Sequence, residues 1–178
     1  AYCFVSNEEK PTITINKVIF PSTAPGKFDL QIKGPIVEGL ITGWQTLGAN
    51  VGNGGTTGPI TKKPGVYKIR EIATAGTNTV ISNYTTTISG EGCPTDVNTN
   101  FTLNFGQNIV CTITNTYKIK YQLTVTKAGT GKGEVNSADG KIDCGLVCAA
   151  NYESGKSVTL TANPNSSSTF AGWDGAGC

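Results

Sequence analysis

What most limits the folds open to this chain is a two-residue period in its apolar side chains, repeated in short runs broken by glycine, proline and asparagine. In residues 12–19, Ile13, Ile15 and Ile19 share one face with Lys17, which is the spacing of a strand with one buried side. Residues 27–32 alternate again, as do residues 67–72 after the turn signal Lys63-Pro64-Gly65. Further strands are predicted over 81–88, 101–105 and 109–117. Threonine recurs, as in Tyr84-Thr85-Thr86-Thr87-Ile88, and 23 glycines supply tight turns, the vocabulary of strands joined by short connections. Strands at this spacing predict a sandwich of antiparallel sheets. Residues 48–58, Gly-rich and polar, read as a mobile loop.

Near Tyr117-Lys118-Ile119-Lys120 the pattern changes. A hairpin is predicted from residues 122–126 through the turn Gly129-Thr130-Gly131-Lys132-Gly133 into Glu134-Val135. Another strand covers 157–162, and Phe170-Ala171-Gly172-Trp173 closes the readable pattern. The chain therefore divides into an N-terminal extension (1–10), a β-sandwich (11–119) and a small β-rich module (120–178), all-β throughout. Two modules joined strand to strand with almost no linker suggest a stiff rod. At 178 residues there is enough chain to bury real cores.

Charge excludes several function classes. Charged residues make up 15 % of the chain and the net charge is +2, without the basic excess of a nucleic-acid binder. The absence of histidine removes the commonest general base and metal ligand. No apolar run is long enough to span a membrane and no signal peptide is present; a start at Ala1 fits a processed secreted protein. No cofactor motif is present: the Gly129–Gly133 run lacks the spacing and following helix of a phosphate-binding loop. The expectation is a non-enzymatic protein.

Six cysteines, an even number in a Gly- and Thr-rich chain, indicate disulfides made in an oxidising, extracellular compartment. A metal site is the alternative, but Cys144-Gly-Leu-Val-Cys148 has no second close pair to complete four ligands. Cys93 ends one strand region and Cys111 lies on the core face of the last strand, enclosing a short loop, and the two are paired here. A buried free thiol is the competing reading. Cys144 and Cys148 are expected to close a small loop, leaving Cys3 and Cys178 to pair within one chain or between subunits.

Ile13-x-Ile15-x-Lys17, Phe28-x-Leu30, Pro64-Gly65-x-Tyr67-x-Ile69-x-Glu71 and Ile113-Thr114-Asn115-Thr116-Tyr117 resemble a prealbumin-like, collagen-adhesin B-type domain over residues 11–118. Such immunoglobulin-like modules build bacterial adhesins and pilus shafts. Leu123-Thr124-Val125, Gly131-x-Gly133-x-Val135, Ile142-Asp143-Cys144-Gly145, Val158-Thr159-Leu160-Thr161-Ala162 and Phe170-x-Gly172-Trp173 resemble a divergent internalin-B-type bacterial repeat over 121–178, a kind of module used in stalks and interaction surfaces.

The first resemblance implies an intramolecular isopeptide bond between Lys17 and Asn115, assisted by Glu71 as its only catalytic residue. Burial favours the neutral amine, which attacks the asparagine carbonyl, while a buried glutamic acid shuttles the proton as ammonia leaves. Parity agrees: Glu71 shares a face with Tyr67 and Ile69, and Asn115 with Cys111 and Ile113. The alternatives are strand-end polar residues that reach solvent, or a hydrogen-bonded trio without a covalent bond, since a buried trio needs mutual satisfaction either way.

The expected function is a structural subunit of an extracellular filament, pilus or adhesin stalk that associates with itself. Two rivals stand beside it: an adhesin tip whose 48–58 loop contacts a host or matrix ligand, and a non-catalytic module of a larger secreted protein. The repeat-like module stops at Cys178, where its family continues into a closing strand, and a sheet lacking that strand recruits another chain. Residues 1–10, with Tyr2, Phe4 and Val5, are expected to donate that strand to a neighbouring subunit, with Cys3 and Cys178 as the candidate covalent link.

Overall fold

In the computed structural model, residues 8–36, 43–97 and 99–175 are described. Cys3, Cys178, the apolar residues of the expected donor strand and their proposed pairings lie outside these residues.

The alternating runs of the first unit, Ala1–Tyr117, become β1 (Thr12–Phe20), β2 (Phe28–Lys33), β3 (Trp44–Val51), β4 (Ile60–Thr61), β5 (Gly65–Ala73), β6 (Tyr84–Ser89), β7 (Phe101–Leu103) and β8 (Asn108–Tyr117). The predicted 81–88 strand starts late, because Ile81–Asn83 form a turn of 3-10 helix before β6. The strands build two four-stranded sheets, ordered β4-β1-β8-β6 and β3-β2-β5-β7. Each presents its period-two apolar face inward: Ile13 and Ile15 from β1 and Ile109, Cys111 and Ile113 from β8 meet Leu30 and Ile32 from β2 and Tyr67 and Ile69 from β5. Each such aliphatic side chain removed from water contributes roughly 1.5–3 kcal/mol.

One pairing departs from the antiparallel expectation. The first and last strands run parallel, from Thr12 opposite Asn108 to Phe20 opposite Thr116. Parallel neighbours need a long crossover, and here the rest of the unit supplies it.

The mobile-loop reading of residues 48–58 is also corrected. Residues 48–51 belong to β3, with Val51 in the core. The remainder is hydrogen-bonded along the edge of β1. Gly55 carbonyl accepts from Lys17 N–H (2.8 Å), Gly54 N–H donates to Lys17 carbonyl (2.9 Å) and Thr57 N–H donates to Ile15 carbonyl (3.0 Å). Asn53 Oδ1 and Thr57 Oγ1 accept from the N–H groups of Ile19 and Ile15. Polarity here marks an edge that must be satisfied. Glycine is needed because a Cβ on Gly55 meets Val51 Cγ1 at 2.5 Å, and Gly54 has φ +75°.

The second unit, Lys118–Cys178, contains β9 (Lys120–Thr124), β10 (Gly133–Ser137), β11 (Ala149–Glu153) and β12 (Leu160–Pro164). The expected hairpin between residues 122–126 and 134–135 does not form: β9 pairs with β11 and β10 with β12, both antiparallel. Residues 142–148 turn the chain back, Val125 N–H donating to Cys148 carbonyl (2.8 Å) and Cys144 N–H to Val135 carbonyl (2.7 Å), so each early strand meets a later partner. Val125, Val135, Ile142, Cys144 and Tyr152 form the core of this unit.

Candidate functional site: a buried lysine, glutamate and asparagine

Within the sandwich, three polar side chains occupy positions in the apolar alternation. Lys17 follows Ile13 and Ile15 on β1, Asn115 follows Cys111 and Ile113 on β8, and Glu71 follows Tyr67 and Ile69 on β5. Their exposures are 0 %, 0 % and 5 %. Lys17 and Asn115 belong to neighbouring parallel strands of one sheet: Lys17 lies opposite Ile113, and Asn115 opposite Ile19. Side chains on one face of paired strands reach the diagonal neighbour two residues along, which is how these two stand to each other. Glu71 comes from the facing sheet.

Across the sandwich, Lys17 Nζ lies 2.9 Å from Glu71 Oε2. That contact is an ion pair whose alignment falls outside hydrogen-bond geometry, so Oε2 has no hydrogen-bond donor. Lys17 Nζ otherwise makes a long contact to Ile113 carbonyl (3.4 Å) and sits 4.6 Å from the centroid of Phe28. Burial pushes the Lys17 ammonium below its ordinary range, with the Glu71 charge opposing that shift. Both amide atoms of Asn115, Nδ2 and Oδ1, are buried without a hydrogen-bond partner. Leaving such a group unsatisfied costs about 1–3 kcal/mol, so the folded cluster holds an amine favoured toward its neutral form, an acid and an amide with unmet hydrogen-bonding capacity.

Sequence reasoning missed two neighbours of this cluster. Thr86 Oγ1 donates to Glu71 Oε1 (3.2 Å) and lies opposite Asn115 in the β6–β8 pair. Its signal was present: Tyr84 and Ile88 face inward, and Thr86 shares their parity. Phe28 covers the lysine through contact across the sheets, which no spacing within one strand reveals. Beside it, Ile19, Phe28 and Tyr84 form an apolar cluster with Tyr117 packed against it, keeping water from that end of the site.

The cysteines within the described residues are brought together in two pairs. Cys93 and Cys111 are bonded with Cα atoms 5.7 Å apart, and Cys144 and Cys148 with Cα atoms 4.5 Å apart. Cys111 and Cys144 are fully buried in their respective cores. Among the described residues, no helix is long and apolar enough to cross a membrane.

Residues 12–117 match the family profile of the prealbumin-like fold domain, and residues 121–178 that of the divergent InlB B-repeat domain. No curated protein matches. Among solved structures, the chain is similar to the Bacillus anthracis TIE protein at 16 % identity and a TM-score of 0.36, covering 88 % of this chain and 26 % of that one. The chain thus spans about a quarter of the length of that structure.

Proposed function

The chain belongs to the prealbumin-like fold domain family, and from that membership we propose that it is a tension-carrying structural module of a bacterial surface filament, pilus or adhesin stalk. Both of its domain families are of surface-protein rather than catalytic type. In this reading Lys17 and Asn115 condense into an internal amide. The neutral Nζ of Lys17 attacks Cγ of Asn115, the Cγ–Nδ2 bond breaks, and ammonia leaves. Glu71 takes the proton from Nζ and delivers it to the departing nitrogen.

The observation that carries this reading is Asn115, buried with neither amide atom satisfied, on the strand beside an amine that burial drives toward its neutral form. Condensation removes the unmet Nδ2 donor altogether and gives Glu71 an amide N–H to bind.

Mechanical consequences follow from the chain order. An amide between residues 17 and 115 carries force from the first strand to the last, so the residues between them leave the load path. Single-molecule stretching under reducing conditions, which opens the Cys93–Cys111 bond, tests this: the extension belonging to residues 18–114 is absent in the natural chain and appears in Lys17→Ala. A natural chain that releases that length under load would overturn the proposal. Self-association into filaments is part of the same reading, and electron microscopy of native surface material separates filament from monomer.

A further inference from the structure

We propose that the outward face of the sheet β3-β2-β5-β7 binds an anionic polysaccharide, with Arg70 at its centre and Lys33 and Lys68 beside it. Alternation puts Phe28, Leu30, Ile32, Tyr67 and Ile69 inward, so Gln31 and Lys33 on β2 and Lys68 and Arg70 on β5 face outward. In the register, Lys33 lies directly opposite Lys68, and Gln31 directly opposite Arg70. With strands about 4.8 Å apart and same-face residues about 6.7 Å apart along a strand, the backbone positions of these three cationic residues fall within roughly 8 Å of one another.

The pairing of Lys33 with Lys68 does not serve the stability of the sheet. Like charges directly opposite on neighbouring strands are unfavourable, and none of the three cations forms an ion pair among the described residues. The nearest acid along β2, Asp29, has its Oδ1 occupied by Asn50 N–H (2.9 Å) and Thr74 hydroxyl (2.7 Å).

Arg70 is also held in place. Its Nε donates to Gln31 Oε1 (2.8 Å), and Gln31 Nε2 donates in turn to Thr46 Oγ1 (3.1 Å). Gln31 is only 8 % exposed despite facing out, and the guanidinium carbon sits 4.1 Å from the Trp44 ring centroid. The side chain is thereby ordered before any ligand arrives, leaving its two terminal nitrogens as a fork for a sulfate or carboxylate group. Ordering in advance lowers the entropic cost of binding. The ring beside the three cations is already stacked on Arg70, so it offers no free platform for a nucleic-acid base. Spaced anionic groups on a sugar chain fit the fork and its two flanking point charges. None of these residues belongs to the Lys17–Glu71–Asn115 cluster.

The test is heparin binding by the whole chain, followed as salt is raised. Heparin is expected to bind at low salt, with an affinity that falls as salt increases. Lys33→Gln and Lys68→Gln are each expected to reduce the slope of log affinity against log salt by about one, as for other polyanions. Arg70→Lys keeps the slope and weakens binding, because the charge remains while the fork is lost. The double variant Lys132→Gln/Lys156→Gln removes two charges from the second unit and leaves binding unchanged. No heparin binding at low salt, equal loss in the second-unit control, or tighter binding of single-stranded DNA than of heparin would each overturn the proposal.

Discussion

Lys17 and Glu71 meet from opposite sheets at the centre of the first unit, 2.9 Å apart and almost wholly removed from water. A buried ion pair is weak evidence for stability, since the desolvation of two charges offsets their attraction. Beside them Asn115 is buried with both amide atoms unsatisfied. Three costly groups on inward positions of three strands make sense together as reactants, and less sense as separate stabilising contacts.

Glu71→Gln is expected to keep the shape of the site and remove its proton carrier. Intact mass should then show the uncondensed chain. Denaturation should show a less stable fold, because the unlinked variant buries the Lys17 amine without its acid partner and lacks the covalent tie between β1 and β8.

The Cys93–Cys111 bond ties the loop before β7 to the core face of β8. Replacing both residues with serine should cost roughly 2–4 kcal/mol, chiefly by freeing the unfolded chain. Non-reduced peptide mapping should recover the two cysteines together. Alkylation of both in the untreated protein would contradict the pairing.

Gly55→Ala should detach the 52–58 segment from β1, because the added Cβ meets Val51 Cγ1 at 2.5 Å and Gly52 carbonyl at 3.2 Å. The expected cost is about 1–3 kcal/mol, typical of overpacking. Amide exchange at Lys17, whose N–H donates to Gly55 carbonyl, should accelerate.

Asp139 organises a turn in the second unit. Its carboxylate is held below the ordinary value of 3.8 by the Ser137 hydroxyl first, and also by Lys141 N–H, the Tyr152 hydroxyl and the Lys141 charge, against the opposing effect of burial. A carboxyl favoured as its anion in the fold contributes stability that is complete above its unfolded value and is lost as pH falls through the folded one. Thermal melting of the second unit should therefore drop as the solution is acidified below about pH 4. Asp139→Asn should flatten that dependence.

The sequence made the sandwich legible because both of its sheets have one wet face: Ile13, Ile15 and Ile19 fix the inward parity of β1, and the same parity carries Lys17, Glu71 and Asn115 inward. Pairing partners were less legible. Nothing within residues 12–20 or 108–117 encodes that the two strands run parallel, because register is set by contacts between distant segments. In the second unit the glycines at 129–133 carried a turn signal, while the partner of β9 depended on the return of the chain through residues 142–148. The polar 52–58 segment misled because glycine and asparagine signal a free loop and a hydrogen-bonded edge equally well.

The intact mass of the reduced protein decides whether Lys17 and Asn115 are joined. It should lie below the sequence value by one ammonia, with the deficit mapping to a linked pair of peptides containing Lys17 and Asn115 and disappearing in Lys17→Ala and in Asn115→Ala. A folded, reduced chain carrying its full sequence mass would contradict the bond.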